Sequence, residues 1–319
     1  MNKNASLAVE PSLARLGNPW LRYFLATRPA FLTITLVGVL LGLAIAWHSG
    51  SAFAALTALV TVLLALLAHA GVNVLNDYYD DLNGADAANT DRLFPFTGGS
   101  RFIQNGVLTA RQTLLLGMAL FLAVMLGGQW LLGHTAPGLL WIGLAGLFIG
   151  WAYSAPPLQL NSRGLGELCV ATGFLLIVVG ADFVQRGTFA ATPWLIGLPY
   201  ALLVTNILYI NQFPDRSADL AVGKRHWVAR LTPDQAAHGY GLILLLALGW
   251  LIGLIAAGRL PVWSVIALLA GLPAFMAAKD LRRFAAQPAR LAPAIRATIG
   301  AAHLLAVLLA ASLVLDKFK

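Results

Sequence analysis

Charge is scarce in this chain. Only 11% of its 319 residues are Asp, Glu, Lys or Arg, against 59% hydrophobic. Mean hydropathy is +0.77. That balance excludes an ordinary soluble domain and makes the bilayer the expected solvent. Cysteine is nearly absent. The single Cys169 sits in an apolar run with no intramolecular partner, so a disulfide framework is excluded and the redox compartment is not legible. A cleavable leader is not expected. The first apolar run starts near Pro29, is too long for a signal h-region and meets no small-residue cleavage site. No repeat of 20–50 residues is visible. Acidic groups are the scarcer of the two charges, 13 against 21 Lys and Arg, for a formal net charge of +8. In a soluble protein that excess would suggest a nucleic-acid partner. In a polytopic membrane protein it reads as basic residues gathered in cytoplasmic loops, and no nucleic acid is expected.

What the chain has instead is apolar length. A spanning helix needs about 20 apolar residues. Nine stretches qualify, at about 28–48, 52–78, 110–132, 137–155, 165–185, 191–213, 235–257, 261–278 and 292–314. The expected fold class is therefore all-α, a polytopic membrane protein of nine transmembrane helices. Residues 1–19 are expected to form a cytoplasmic tail, and 20–319 a single transmembrane domain. Pro137, Pro193, Pro233 and Pro261 stand at or just before helix starts, where a missing N–H costs little. With the N-terminus inside, 17 of the 21 basic residues fall in cytoplasmic segments, and only Arg186, Arg259, Lys317 and Lys319 fall opposite. This bias orients the chain in the cytoplasmic membrane, with its acidic loops facing the cytoplasm.

The scarce carboxylates are concentrated. Asp77, Asp80, Asp81, Asp86 and Asp91 follow the second apolar stretch within fifteen residues. Asn73, Asn76, Asp77 and Asp80 are spaced by three and four, so they share one face if the helix continues. Carboxylates stacked in this way repel and call for a cation. Carboxylate and amide oxygens suit a hard divalent ion, Mg2+ above all, especially when phosphate shares it. The alternative is a solvated helix end. A second cluster closes the sixth stretch, where Asn211, Asp215 and Asp219 are spaced by four, with Pro214 between them and Gly223-Lys224-Arg225 after them. Taken alone it reads equally as a capped helix end. Two such clusters on one membrane side, with Arg101, Lys224 and Arg225 in the loops, fit a diphosphate clamped through Mg2+.

These residues carry a resemblance. Asn76-Asp77-x-x-Asp80 with Gly84-x-Asp86, and Asp215-x-x-x-Asp219 before Gly223-Lys224-Arg225, resemble the UbiA family of intramembrane aromatic prenyltransferases. The resemblance runs from Thr27-Arg28-Pro29 to Arg225, while the last three helices match in hydropathy only. It is strongest to the 1,4-dihydroxy-2-naphthoate polyprenyltransferases of the menaquinone branch, which read NDYxDxxxGxD. Arg163-Gly-Leu-Gly-Glu167 and Asn211-Gln-Phe-Pro-Asp215 point the same way. Two departures separate the chain from the 4-hydroxybenzoate branch. Asp91 to Arg101 contains no RTxxRP stretch, and Tyr153-Ser-Ala-Pro-Pro carries no Lys.

The resemblance implies nine helices around a central cavity, capped by two Asp-bearing cytoplasmic loops. Asn76, Asp77, Asp80 and Asp86 would hold one Mg2+, and Asp215 and Asp219 a second. Asp77, Asp80, Asp215 and Asp219 would be the catalytic carboxylates. Asn73, Asn211, Arg101, Lys224, Arg225, Arg28 and Tyr153 would bind substrate. The partners would be a polyprenyl diphosphate, an aromatic acceptor and the lipid bilayer. Several residues keep two readings. Arg28 can snorkel to lipid phosphate or meet an acceptor carboxylate. Tyr153 can belong to the interfacial belt or to the cavity. Glu167 can cap the fifth helix or touch substrate. His69 reads as a hydrogen-bonded interior histidine rather than a ligand. Other acceptors (4-hydroxybenzoate, homogentisate, a glycerol phosphate lipid or haem) remain open. An ion-coupled transporter is the other class, but transport carboxylates sit near the midplane, and these lie at helix ends.

Overall fold

The computed structural model describes residues 9–318. The first eight residues of the expected tail lie outside the described residues, as does Lys319. All regular structure among the described residues is helical. A short helix α1 (Pro19–Ala26) leads into α2 (Pro29–His48) and α3 (Ala55–Leu82). A single turn, α4 (Ala85–Ala88), opens the first long loop, and α5 (Ala110–Leu132), α6 (Leu139–Ser154) and α7 (Gly166–Arg186) follow. Then come α8 (Thr192–Ala221), a turn α9 (Trp227–Arg230), α10 (Pro233–Ala256), α11 (Gly271–Phe284) and α12 (Ala292–Asp316). A 3-10 stretch over Val262–Ala270 runs directly into α11. Eight helical segments are long and apolar enough to cross a bilayer, Val262–Phe284 counting as one of them. The chain is a multi-pass membrane protein. The fourth expected span, 137–155, appears as the 16-residue α6, short of a full crossing length by itself.

Two helices overrun the bilayer. At 1.5 Å per residue, the 28 residues of α3 and the 30 of α8 reach about 42 and 45 Å. The hydrocarbon core is only about 30 Å thick. Their last turns therefore stand clear of the apolar slab, and those turns carry the acidic residues. The sequence expectation ended these helices at 78 and 213, where hydropathy falls. Both continue because the polar end of each is walled by loops of the same protein. Pro214 sits inside α8 without ending it. It withholds one donor from the carbonyl of Ile210, a cost borne more easily in a packed helix than in an isolated one.

The core gathers on α8. Tyr200, Leu203 and Ile210 are almost fully buried there, and the Tyr200 hydroxyl donates to the Ile34 carbonyl at 2.5 Å. The bundle depends on small residues where helices cross. Gly42 of α2 is the tightest case, since a Cβ there would lie 2.3 Å from the Val178 carbonyl oxygen of α7. Replacing it with Ala would force α2 and α7 apart. The long loop before α5 is secured by a small apolar cluster of Leu16, Ala26, Phe102, Val107 and Leu108. Residues 9–18 accordingly lie along this loop rather than forming a free tail.

Candidate active site

A cavity of about 580 Å³ opens between the overlong ends of α3 and α8. Its polar end is lined by Asn73, Asn76 and Asp80 of α3, Asp86 of α4 with Asn89 behind it, Asn211, Asp215 and Asp219 of α8, and Lys224. Its apolar walls come from α3, α6 and α7, with Ala65, Ala68, Val72, Ile149, Val170 and Phe174 among them. The heptad-like spacing of His69, Asn73, Asn76 and Asp80 gives α3 one polar stripe on the cavity side. His69 has its Nδ1 2.7 Å from the Thr35 hydroxyl and stacks edge-on against Phe174. That is the interior histidine expected from the sequence.

The two clusters meet through Lys224. Its Nζ lies 2.7 Å from Asp80 Oδ1 and 3.2 Å from Asp219 Oδ1. Burial opposes the ammonium charge, but these two carboxylates outweigh it and hold the lysine pKa well above its usual range. His226 places Nε2 3.1 Å from the other oxygen of Asp219. Across the cavity, Asn89 Nδ2 donates to Asp215 Oδ1. Asp91 and Ser217 also meet at 3.3 Å, so the two acidic loops close on one another. Within the first cluster, Asn76 Nδ2 donates to Asp80 Oδ2 at 3.1 Å and to Ser154 Oγ at 3.0 Å. Asn73 donates to the Thr27 carbonyl at 3.2 Å, which ties α3 to the turn before α2.

Asp86 is placed differently. It is 5% exposed, and its Oδ2 has no hydrogen-bond partner. Burial, and then the nearby charges of Asp80 and Asp77, push its carboxyl well above the usual range. Gly99 makes room for it. The glycine sits at φ +70°, and a Cβ there would lie 2.3 Å from Asp86 Oδ2. Asn89 Oδ1 and Asn211 Oδ1 are likewise buried without partners. Three residues of one cavity wall thus each carry a buried, unsatisfied hard oxygen, an arrangement that is costly unless a cation or donor completes it. The donor set fits Mg2+. Among the described residues, no three His, Cys, Asp or Glu side chains form a metal-holding group by themselves. Substrate oxygens or waters would have to complete any coordination shell.

Three expected site residues lie outside the cavity wall. Asp77 is buried and accepts the Ser100 N–H at 3.2 Å, so it anchors the loop rather than facing the cavity. Arg101 donates to the Asp86 carbonyl from behind the loop. Burial and the neighbouring Arg92 lower its pKa. Arg225 is exposed and faces away, its backbone N–H bonded to the Ser162 carbonyl at 2.7 Å. Arg28 and Tyr153 do line the cavity. Arg28 adopts φ 58°, donates to the Phe96 carbonyl at 3.3 Å and lies over the Phe31 ring. Glu167 accepts from Gln212 Nε2 at 2.9 Å, joining α7 to α8. Asn89, His226 and Gly99 were not singled out from the sequence. Asn89 carried a readable signal, an amide three residues beyond Asp86. Gly99 and His226 carried none, because their roles depend on contacts across the fold.

A helical bundle whose polar cavity joins two Asp motifs defines an intramembrane prenyltransferase class, and the comparisons agree. The UbiA prenyltransferase family pattern matches residues 35–299. The chain belongs to this family and is a prenyltransferase. It is 27% identical over 247 residues to the 1,4-dihydroxy-2-naphthoate octaprenyltransferase of Bacillus subtilis, covering 76% of each chain. To the enzyme of that name from Escherichia coli it is 28% identical over 225 residues, 68% of this chain and 71% of the other. A UbiA prenyltransferase domain-containing protein 1 from Dictyostelium discoideum is 26% identical over 255 residues, 77% of this chain and 76% of its own. Among solved structures, an apo UbiA homologue from Aeropyrum pernix superposes with a TM-score of 0.65 at 17% identity, over 89% of this chain and 98% of that one. A UbiA homologue from Archaeoglobus fulgidus bound to DMAPP and Mg2+ gives 0.57 at 14% identity, over 92% and 99%.

Proposed function

We propose that the protein transfers a polyprenyl group from an allylic diphosphate to 1,4-dihydroxy-2-naphthoate, in a Mg2+-dependent step of menaquinone biosynthesis. The observation that carries the chemistry is the single cavity with acidic groups of both clusters at one end and apolar walls beyond. Asp80, Asp86, Asn89, Asn211, Asp215 and Asp219 would present oxygens to the metal–diphosphate group, and Lys224 would exchange its carboxylate contacts for phosphate. Bound Mg2+ would neutralise the diphosphate as it leaves the allylic carbon. The apolar walls would take the isoprenoid chain and exclude water from the allylic cation, leaving the acceptor ring as the nucleophile. The A. fulgidus homologue bound to DMAPP and Mg2+ supports the cofactor and the donor class. The curated relatives named as naphthoate enzymes support the acceptor. So do the missing RTxxRP stretch and the missing Lys after Tyr153. Arg28 is the residue we assign to the acceptor carboxylate, by a charge-assisted contact from the cavity wall. The prenyl group would replace that carboxylate on the ring, so CO2 would leave alongside diphosphate. The excess of basic residues in the loops supports a cytoplasmic N-terminus and cytoplasmic acidic loops in the inner membrane. The test is purified protein with Mg2+, one allylic diphosphate and both naphthoate and 4-hydroxybenzoate in competition, read by product mass. A decarboxylated prenyl naphthoate is expected. A prenylated hydroxybenzoate as main product, or a naphthoate adduct that keeps its carboxylate, would overturn the acceptor assignment.

A further inference from the structure

The segment before α1 carries one acidic side chain among the described residues, Glu10, and it is fully engaged. Glu10 Oε1 accepts from Arg92 Nε at 2.7 Å, and Oε2 accepts from Asn105 Nδ2 at 3.1 Å. Oε2 also lies 4.0 Å from Arg101 Nε. Asn105 Nδ2 bonds the Pro11 carbonyl as well, at 3.0 Å. Both arginines reach onward to the cavity. Arg92 Nη1 donates to the carbonyl of Asn89 at 2.7 Å, and Arg101 donates to the carbonyl of Asp86. Asn89 in turn holds Asp215 of α8 with its side chain. One carboxylate therefore stands behind two backbone positions, and both of those residues line the cavity. Leu16, packed on Phe102, Val107 and Leu108, fixes the other end of the same segment.

We propose that Glu10 is a positioning residue, the latch of an N-terminal strap that holds the loop 86–105 in register with the acidic end of α8. This rests on the reading of the cavity as a metal–diphosphate site. The alternative is a surface ion pair with no effect beyond itself, the usual outcome for exposed charges. Two features argue against that outcome here. The pair belongs to a network of two guanidiniums and an amide, and each guanidinium has a second, backbone partner. Arg101 Nε is itself buried without a hydrogen-bond partner, and Glu10 Oε2 lies 4.0 Å from it. Without Glu10, neither arginine has a carboxylate holding it from the strap side, and the carbonyls of Asp86 and Asn89 lose fixed donors.

The test uses the full-length protein in lipid nanodiscs. Glu10→Gln keeps the shape and removes the charge. Amide hydrogen exchange over 86–105 is expected to quicken by about two- to fivefold, the range for a partly exposed ion pair. Exchange over α3 and α8 should stay unchanged. The concentration of Mg2+ with inorganic pyrophosphate that half-saturates a thermal shift should rise by a similar factor, and KM for the allylic diphosphate should follow while kcat holds. Arg92→Gln is the second variant. Combined with Glu10→Gln it should add little, because both break one path. Unchanged exchange in Glu10→Gln would overturn the latch. So would a loss spread evenly over the bundle, or full additivity of the two variants. If the unaltered protein fails to bind Mg2+ with pyrophosphate, the metal–diphosphate reading fails instead, and the exchange measurement still decides the latch.

Discussion

Asp77 of α3 and Asp86 of α4 are set against the loop before α5, whereas Asp215 and Asp219 of α8 are held by side chains. Asp77 takes the Ser100 N–H, and Asp86 fits against Gly99 with one oxygen unpartnered. Asp219 meets Lys224 and His226, and Asp215 meets Asn89. In the first cluster Asp86 offers a bare oxygen, whereas in the second Asp219 already has a cation beside it. A buried carboxylate left unpaired is expensive, and a buried one paired to lysine is only tolerated. The two clusters should therefore respond differently to a cation. Asp86 gains a partner it lacks, and Asp80 and Asp219 must exchange the one they share. Lys224 bridges both, through Asp80 and Asp219, so it sets the repulsion each cluster feels before a cation arrives.

The largest effect should come from removing an oxygen on either side. Asp80→Ala and Asp215→Ala should each lower turnover by about a hundred- to a thousandfold or more, the scale of losing one preorganised electrostatic contact to a developing charge. Expression and helix content should stay near normal, since neither change removes core packing. Measured turnover in saturating Mg2+ checks this, and near-normal activity in either variant would mean that only one cluster does the chemistry.

Lys224→Met separates the clusters most directly. It keeps the length of the side chain and removes its charge. The resting protein should lose about 3 kcal/mol, because Asp80 and Asp219 are left facing each other in a buried place. Adding Mg2+ should then raise the melting temperature more in the variant than in the parent. Equal Mg2+ responses would show that Lys224 is not the ion's stand-in. Gly99→Ala comes next. It forces a methyl towards Asp86 Oδ2 and puts Ala at φ +70°, a strain of about 1–3 kcal/mol. Because the strain falls on the first cluster alone, Mg2+ with pyrophosphate should bind about tenfold more weakly, while Asp215 and its contacts stay intact. Thermal-shift titration reads this directly.

Much of this was legible in the residues. Apolar runs located the helices, and the three- and four-residue spacing of Asn73, Asn76 and Asp80 correctly put them on one face. What hydropathy could not give was where α3 and α8 stop. Polar turns read as loop, yet packing against Asn89, Ser100 and Lys224 keeps them helical. Nor could spacing separate Asp77 from Asp80. Both lie on the same side of a helical wheel, and only the position of the Ser100 N–H draws one of them out of the cavity. Arg101 and Arg225 were basic groups near an acidic site by sequence alone. The fold turns the first onto a backbone carbonyl and the second towards the surface.

The smallest effect should appear in acid, at the strap rather than in either cluster. Burial acts to raise the Glu10 pKa, but its hydrogen bonds from Arg92 and Asn105 and the charges of Arg92 and Arg101 outweigh it, so the folded value lies below the usual carboxylate range. Arg92, Arg101 and Asn105 are the groups it meets. A depressed folded pKa means the carboxylate contributes its stabilisation above the unfolded pKa and loses it as pH falls through the folded one. The loop 86–105 should thus keep its exchange protection from neutral pH to mildly acidic pH, and lose it only below the ordinary glutamate range. Glu10→Gln should lack that acid step and show the faster exchange at every pH. Exchange rates, corrected for their intrinsic pH dependence, check this in both proteins. An acid step of equal size in Glu10→Gln would assign the loosening to a group other than Glu10. The latch would then be independent of charge, and the contrast between loop-held and side-chain-held carboxylates would rest on the first cluster alone.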